Sequence, residues 1–240
     1  MINFEKNLEK MKYIICSLLL LALNLTSLSQ EECGGFLSTE GTKWEITNYS
    51  AKGKVEGITS YEISSKNSIT DGYEYIIKFS STDAKGKNEY NDEMKAYCIN
   101  GVFSFDMKSK INSQQMQGFE NMEMTIEADK LEMPKSNTAA GTSLKDAKIS
   151  MKAVTNGITV FNMLIKITDR KVESEETKEV PAGSYECLVI TQKSTTKVAF
   201  KNTESTSRDW YNSSVGVVRS EQYDKNGKLM EYSELTSFTK

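Results

Sequence analysis

The sequence contains no histidine and only 2 prolines among its 240 residues. Without histidine, no His-based catalytic triad, proton shuttle or imidazole-ligated metal site can form. An excess of basic charge is also absent, since 30 Lys and Arg face 33 Asp and Glu for a net charge of −3. We therefore do not expect a nucleic-acid-binding protein. With 38% hydrophobic and 26% charged residues, the composition is that of a folded globular chain.

The N-terminus has the features of a secretory signal peptide. Three lysines precede an apolar run over residues 13–23, and small polar residues follow it. The run is shorter than a bilayer span requires. We expect residues 1–29 to be removed and residues 30–240 to be a soluble protein, secreted or periplasmic. Met1 and Met11 are alternative start sites, and no later segment is apolar enough to cross a membrane.

Cysteine usage agrees with export. Removal of Cys16 with the signal peptide leaves Cys33, Cys98 and Cys187, whose wide spacing matches no metal-binding or redox motif. One disulfide with one free thiol, or three buried thiols, are the alternatives, and the sequence does not indicate which pair forms. Small and apolar residues precede the modified cysteine of a lipoprotein. Neither Cys16 nor Cys33 has such neighbours, so we do not expect lipid attachment.

Alternation of apolar and polar residues dominates the mature chain, as in strands with one buried face. It is clear in residues 73–80, 102–107 and 122–128. Asn100-Gly101 and Asn156-Gly157 lie between such stretches, and Asn-Gly favours a tight hairpin. The sequence therefore predicts an antiparallel sheet with one polar face.

A second turn motif places glycine beside lysine between strand-like stretches. It suits a hairpin that ends in a glycine bulge. We interpret these turns as solvated hairpin tips, with anion binding as the alternative. The three instances are Lys52-Gly53-Lys54, Lys85-Gly86-Lys87 and Asn226-Gly227-Lys228.

The fold class follows from the length of the strands. Long strand-like stretches between residues 148 and 193 favour a mainly β fold with a strongly curved antiparallel sheet: a half-barrel, barrel or sandwich. We also expect one or two short helices, one of them over residues 112–119. Residues 30–240 are expected to form a single domain, or two β halves joined near residues 131–142.

Several motifs resemble those of a known family. They include Val180-Pro181-Ala182-Gly183-Ser184-Tyr185-Glu186-Cys187, Trp210-Tyr211, Val215-Gly216-Val217-Val218-Arg219-Ser220 and, earlier, Gly41-Thr42-Lys43-Trp44. These residues resemble the TapB-like family of exported bacterial proteins, a domain of unknown function common in Bacteroidota. The resemblance implies a secreted or periplasmic β-rich domain with no established activity and no catalytic residues to transfer.

Methionine supplies the main functional hypothesis. The chain has 11 methionines, and flexible thioethers on a curved sheet would suit a pocket for a hydrophobic small molecule or lipid. An ordinary core filled by methionine is the alternative. No metal or cofactor is implied. The candidate ligand-binding residues are Met107, Met116, Met122, Met124 and Met163.

Two other functions are compatible with the sequence. An envelope interaction module would bind protein or glycan through strand edges and exposed tyrosines. A hydrolase would need a pair of carboxylates, and no spacing singles one out. A large apolar cavity would favour the ligand carrier. The tyrosine candidates are Tyr90, Tyr211, Tyr223 and Tyr232, and the carboxylates near strand ends are Asp169, Glu173, Asp209 and Glu221.

Overall fold

The computed structural model describes Cys33, residues 39–87, residues 89–111, Phe119 and residues 122–240. All of these belong to one compact unit that runs from Glu32 to Lys240. The signal peptide predicted over residues 1–29 lies outside the described residues and stays a prediction.

In the described residues, thirteen strands form one sheet in the order β6-β8-β9-β10-β11-β12-β13-β1-β2-β3-β4-β5-β7. All neighbouring strands are antiparallel, which confirms the predicted mainly β, antiparallel fold. The strands are β1 (Lys43–Ser50), β2 (Val55–Ile69), β3 (Gly72–Asp83), β4 (Tyr90–Ile99), β5 (Val102–Asp106), β6 (Glu123–Ala128), β7 (Lys130–Glu132), β8 (Ala147–Thr155), β9 (Ile158–Val180), β10 (Gly183–Val198), β11 (Lys201–Asn212), β12 (Gly216–Asp224) and β13 (Leu229–Thr239).

The described residues contain no α-helix, so the prediction of one or two short helices is wrong for this part of the chain. A 3-10 turn over Met107–Lys110 follows β5, and the Asp106 side chain accepts a hydrogen bond from the backbone N–H of Lys108 at its start. The helix predicted over residues 112–119 lies, apart from Phe119, outside the described residues. That prediction depended on two apolar side chains, and so short a helix is marginal without tertiary support.

The two edge strands of the sheet are consecutive in the chain. β6 ends at Ala128 and β7 begins at Lys130, so Asp129 alone separates them. The Asp129 N–H donates to the carbonyl oxygen of Lys148 on β8 at 2.9 Å, and its own carbonyl accepts the N–H of Met107, just after β5, at 3.1 Å. One residue thus contacts both ends of the strand order. The sheet is a nearly closed barrel, which decides among the three predicted curved architectures.

Local turn chemistry explains the hairpins. Asn100 and Gly101 have φ of 51° and 72° between β4 and β5, and Asn156 and Gly157 have φ of 48° and 77° between β8 and β9. Two successive positive φ values are the requirement of a tight hairpin turn. Both predicted Asn-Gly hairpins are confirmed.

The core forms two clusters. The larger one packs side chains of β1–β5 against those of β10–β13, including Ile77, Val189 and Leu235, which are completely buried. The smaller one, with Met107 and Ile149, lies where the sheet closes. The disulfide joins Cys33 to Cys98, and Cys187 is a buried free thiol. This settles the pairing that the sequence left open.

Candidate functional site

A cavity of about 470 Å³ lies inside the barrel, lined by side chains of both halves of the sheet. Its volume is in the range of small-molecule sites. One wall comes from β1–β5, the 3-10 turn and β7 and is mainly apolar. The other comes from β9–β13 and is mainly polar. The apolar residues of the first wall are Trp44, Ile46, Tyr61, Phe79, Met94, Phe105, Met107, Leu131 and Met133, and Ile190 and Val217 are the apolar side chains of the second.

A row of aromatic rings forms the centre of the apolar wall. Strand register places Trp44 opposite Tyr61, and Tyr61 opposite Phe79. The Trp44 and Tyr61 rings are stacked, with centroids 5.0 Å apart and planes 6° apart, and the Tyr61 and Phe79 centroids are 5.8 Å apart. Burial raises the pKa of Tyr61, so its hydroxyl stays protonated. Cross-strand pairs of this kind stabilise the sheet and present ring faces to the cavity.

Arg170 on β9 anchors the polar wall and is 3% exposed. Its Nη1 donates to the carbonyl oxygen of Lys145 at 2.6 Å, its Nη2 to the carbonyl oxygen of Glu132 at 2.8 Å, and its Nε to Oε1 of Gln192 at 3.0 Å. Burial lowers the pKa of Arg170, and nearby carboxylates, first Asp209, oppose that effect. The guanidinium therefore stays charged, and its hydrogen bonds fix the edge of the cavity.

Asp209 on β11 is the second buried charge of this wall, at 8% exposed. Its Oδ2 accepts hydrogen bonds from Nε2 of Gln192 at 2.9 Å and from the Ser207 hydroxyl at 3.0 Å, and its Oδ1 accepts one from the Ser220 hydroxyl. Gln192 therefore bridges the guanidinium of Arg170 to this carboxylate. A buried charge pair is tolerated when hydrogen bonds satisfy both members.

The structure separates the five methionine candidates. Met107 is 1% exposed and lines the cavity. Met124 lies on β6 opposite Ala153, and Met163 lies on β9 opposite Met151, both half-buried and outside the lining. Met122, just before β6, is also outside it. Met116 lies outside the described residues.

The tyrosine and carboxylate candidates are dispersed. Tyr211 is 2% exposed, and burial raises its pKa. Among the carboxylates, Asp209 lines the barrel cavity, whereas Asp169 and Glu173 line a separate open pocket of about 470 Å³. Glu221 forms an ion pair with Arg219. The other three tyrosines are half-buried: Tyr90, Tyr223 and Tyr232.

An open groove of about 800 Å³ crosses β1–β4 and the end of β13, and Trp44, Tyr61 and Phe79 line it as well as the cavity. Strand register gives a row of alternating charge, in which Lys43, Glu62, Lys78 and Glu93 are successive cross-strand partners. Nζ of Lys43 lies 3.5 Å from Oε2 of Glu62. Opposite charges on facing strands support the register, so this solvated row has a structural explanation.

Among the described residues, no three His, Cys, Asp or Glu side chains are grouped as metal ligands would be. No helix in the same part of the chain is long and apolar enough to cross a bilayer.

Two solved structures share the architecture. A Bacteroides fragilis NCTC 9343 protein, described as exported and with a YmcC-like fold, is 24% identical with a TM-score of 0.69 over 87% of this chain and 100% of that one. A Parabacteroides distasonis ATCC 8503 protein, described as a lipoprotein, is 26% identical with a TM-score of 0.69 over 87% of this chain and 100% of that one. None of the curated proteins matches the chain.

These comparisons refine the expectations drawn from the sequence. Both neighbours are described as exported proteins or lipoproteins, which agrees with an envelope location. The lipoprotein neighbour counts against our expectation that lipid attachment is absent. The comparisons support an exported family of unknown function, as the motifs implied, but they do not show the TapB-like name. The sequence profile that does match is described as DUF3108-like and covers residues 39–235, so the chain belongs to the DUF3108-like family.

Proposed function

We propose that this protein is a non-catalytic envelope protein that binds one hydrophobic ligand, with an uncharged polar end, in its barrel cavity. The proposal rests on the cavity of about 470 Å³, which has one mainly apolar wall and one mainly polar wall. A ligand that is apolar along one side and polar at one end would satisfy both walls at once.

The apolar wall supports the hydrophobic part of the ligand. Three stacked or tilted rings offer flat surfaces, and Met94, Met107 and Met133 offer thioethers beside them. Methionine side chains adapt to irregular shapes at little energetic cost. This wall can therefore adapt to a flexible hydrocarbon chain or to a ring system, and it is not shaped for one rigid ligand alone.

The polar wall supports an uncharged end. Arg170 uses three of its five N–H groups on Gln192 and two backbone carbonyls, and the nearby Asp209 carboxylate already opposes its charge. Asp106 and Asp209 add negative charge to the lining, which disfavours a carboxylate or phosphate further. The amide of Gln222 and the hydroxyl of Ser233 complete this wall and can bond to ligand hydroxyl or carbonyl groups.

Native mass spectrometry tests the proposal directly. Protein purified from its native envelope without detergent should carry a stoichiometric apolar mass that is lost on denaturation. Added 1-palmitoylglycerol, which is uncharged, should bind more tightly than palmitate, its anionic counterpart. An empty protein that takes up neither compound would refute the proposal.

A matched pair of variants on β13 locates the site. Ser233→Leu puts a bulky side chain into the cavity, whereas Ser237, which lines the open groove and not the cavity, is the control position for Ser237→Leu. We expect at least about tenfold weaker binding of 1-palmitoylglycerol for Ser233→Leu, since overfilling a cavity excludes its ligand. Ser237→Leu should bind like the wild type. Equal losses in both variants would place the ligand elsewhere.

A further inference from the structure

A second pocket lies on the outer face of β9–β12. Gln192 and Asp209 line the inner cavity, and neighbouring side chains of a strand point to opposite faces of the sheet. Thr191 and Lys193 on either side of Gln192, and Arg208 just before Asp209, therefore lie on the outer face. All three line an open pocket of about 470 Å³, which we call the outer pocket. Its volume is in the range of small-molecule sites.

Two bulges in β9 bring carboxylates to the outer pocket. Against β10, the register of β9 skips Glu173, and it places both Asp169 and Arg170 opposite Gln192 alone. A bulge redirects the side chains around it. Asp169 has a φ of 54°, a left-handed conformation that aspartate tolerates better than most residues. Both carboxylates are exposed and line the outer pocket, so they provide it with hydrogen-bond acceptors.

The charges of the outer pocket are nearly balanced. Its two cations are already paired with carboxylates outside the lining: Nζ of Lys193 lies 3.1 Å from Oε2 of Glu204, and Nη2 of Arg208 lies 2.7 Å from Oε1 of Glu176. The lining itself has two cations and two carboxylates. With the two partners and with Lys171, which lies between the bulges, the count is three cations to four carboxylates. The outer pocket therefore has no free positive charge for an anion and no strong field for a cation.

Arg208 keeps most of its hydrogen-bonding capacity. In the described part of the chain its guanidinium donates one hydrogen bond, from Nη2 to Glu176, although it carries five N–H groups. Its Nε is buried without a hydrogen-bond partner among the described residues, with Oε2 of Glu173 3.4 Å away. An arginine donor and a glutamate acceptor thus lie side by side, and both can bond to adjacent groups of one ligand.

The rest of the lining is suited to hydroxyl groups. Thr191 and Thr206 carry hydroxyls that can both donate and accept. Tyr223 supplies the aromatic ring of the described lining, and its hydroxyl donates to Glu221, which fixes the ring. An aromatic ring face can pack against the C–H groups of a sugar ring. The lining contains no aliphatic side chain, so a hydrocarbon ligand is disfavoured.

We propose that the outer pocket binds an uncharged oligosaccharide. Sugar hydroxyls donate to carboxylates such as Asp169 and Glu173 and accept from the guanidinium of Arg208, and they add no charge to a balanced site. This site lies on the opposite face of the sheet from the cavity and takes a ligand of the opposite polarity. It goes beyond the proposed function, and either proposal can fail alone.

Calorimetric titration with four tetrasaccharides tests the class and the charge of the ligand. The neutral probes are N-acetylated chitotetraose and maltotetraose. The charged probes are the cationic glucosamine tetramer and anionic tetragalacturonate. We expect one or both neutral probes to bind at least about tenfold more tightly than either charged probe, with little dependence on added salt. Failure of both neutral probes to bind, or tighter binding of a charged probe, would overturn the proposal.

Variants of the bulge carboxylates make the test specific. Asp169→Gly removes a carboxylate while glycine accepts the positive φ without strain, so this variant should fold. We expect Asp169→Gly and Glu173→Ala each to weaken binding of the neutral tetrasaccharide at least about tenfold. Glu175→Ala, at an exposed position of β9 outside the lining, should bind like the wild type. Thermal unfolding verifies that each variant folds. Equal losses for Glu173→Ala and Glu175→Ala, or no loss for Asp169→Gly and Glu173→Ala, would contradict the proposal.

Binding of 1-palmitoylglycerol separates this site from the cavity. Asp169→Gly should bind that lipid like the wild type, and Ser233→Leu should bind the tetrasaccharide like the wild type. If Ser233→Leu loses the tetrasaccharide while Asp169→Gly retains it, the saccharide occupies the barrel cavity and the proposal for the outer pocket is wrong.

Discussion

Asp129 and Lys148 are joined by two hydrogen bonds at the point where the barrel closes. The Asp129 N–H donates to the Lys148 carbonyl oxygen at 2.9 Å, and the Lys148 N–H donates to Oδ2 of Asp129 at 3.0 Å. β6 and β7 lie on either side of Asp129 and pair with β8 and β5, at opposite ends of the strand order. The Asp129 carboxylate therefore accepts an N–H group that a backbone carbonyl would accept within a regular sheet. It does so where the chain passes from β6, which pairs with β8, to β7, which pairs with β5.

This arrangement predicts that Asp129→Ala destabilises the barrel by about 1 kcal/mol, the usual value of one hydrogen bond. Asp129→Asn should retain most of the stability, since its amide oxygen can accept the same N–H. Urea unfolding measures both free energies. Equal losses in the two variants would show that the side-chain hydrogen bond does not support the closure.

Arg170 provides a second prediction. Arg170→Met leaves the carbonyl oxygens of Lys145 and Glu132 without their donor and the Asp209 carboxylate without its buried counter-charge. We expect a loss of about 3–5 kcal/mol, the range for breaking a buried pair by removing one partner. Arg170→Lys should recover only part of it, because an ammonium cannot reach three acceptors in a fork.

A neighbouring exposed pair is the control for Arg170. Nζ of Lys145, in the loop between β7 and β8, lies 3.0 Å from Oε1 of Glu132 at the end of β7. Lys145→Met should leave the urea midpoint nearly unchanged, since exposed ion pairs contribute little. A large effect of Lys145→Met, or a negligible one of Arg170→Met, would contradict the central role of the buried guanidinium.

The strands and tight turns could be predicted from sequence because their signals are local. Alternation over residues 73–80 reports one strand, and Asn100-Gly101 reports one turn, without knowledge of the rest of the chain. Barrel closure could not be predicted in this way. It depends on Asp129 meeting Lys148 and Met107, and residue types alone do not specify that register.

The sequence indicated that an apolar pocket could form, but it did not indicate which residues would line it. Methionine content indicated an adaptable apolar lining, and Met107 does line the cavity. Met124 and Met163 do not, although they share strand faces with Ile126 and Ile165, which pack against the smaller core cluster. Position along a strand, and not the face alone, decides which inward side chains reach the cavity.

In the polar wall only Asp209 was among the sequence candidates. Arg170 had no sequence signal, since two of its acceptors are backbone carbonyls, which every residue carries.

The cysteines give a third prediction. The disulfide between Cys33 and Cys98 closes a loop with a sequence separation of 65, and loop entropy makes its loss worth about 4 kcal/mol. Cys33→Ser and Cys98→Ser should lower stability equally, and Cys33→Ser with Cys98→Ser together should lower it no further. Additive losses would indicate that the two sulfurs are not paired.

Thiol titration gives an independent check on the pairing. Burial raises the pKa of the Cys187 thiol to about 12, with Glu186 adding to that effect, so little thiolate forms at pH 8. The folded mature protein should show no reactive thiol with Ellman's reagent, and the denatured but unreduced protein should show one. Three thiols in the denatured, unreduced protein would show that the disulfide does not form.

The last prediction concerns acid and the Glu176 side chain on β9. Its Oε2 accepts the indole N–H of Trp210 at 3.0 Å, and its Oε1 accepts Nη2 of Arg208 at 2.7 Å. The hydrogen bond from Trp210 is the main cause that lowers the pKa of Glu176 below its ordinary 4.5, and burial opposes it. Because the folded pKa is the lower one, this interaction stabilises fully above pH 4.5 and is lost as pH falls through the lowered value.

Tryptophan emission during acid titration reports this transition, because protonation of Glu176 neutralises the carboxylate that accepts the Trp210 N–H. Glu176→Gln should abolish the low-pH change in emission, whereas Glu175→Gln, at the exposed neighbouring position on β9, should retain it. The free energy by which the wild type exceeds Glu176→Gln should likewise shrink below pH 4.5. If Glu176→Gln follows the wild-type titration curve, the acid response arises from another carboxylate, and the contact between Glu176 and Trp210 does not set it.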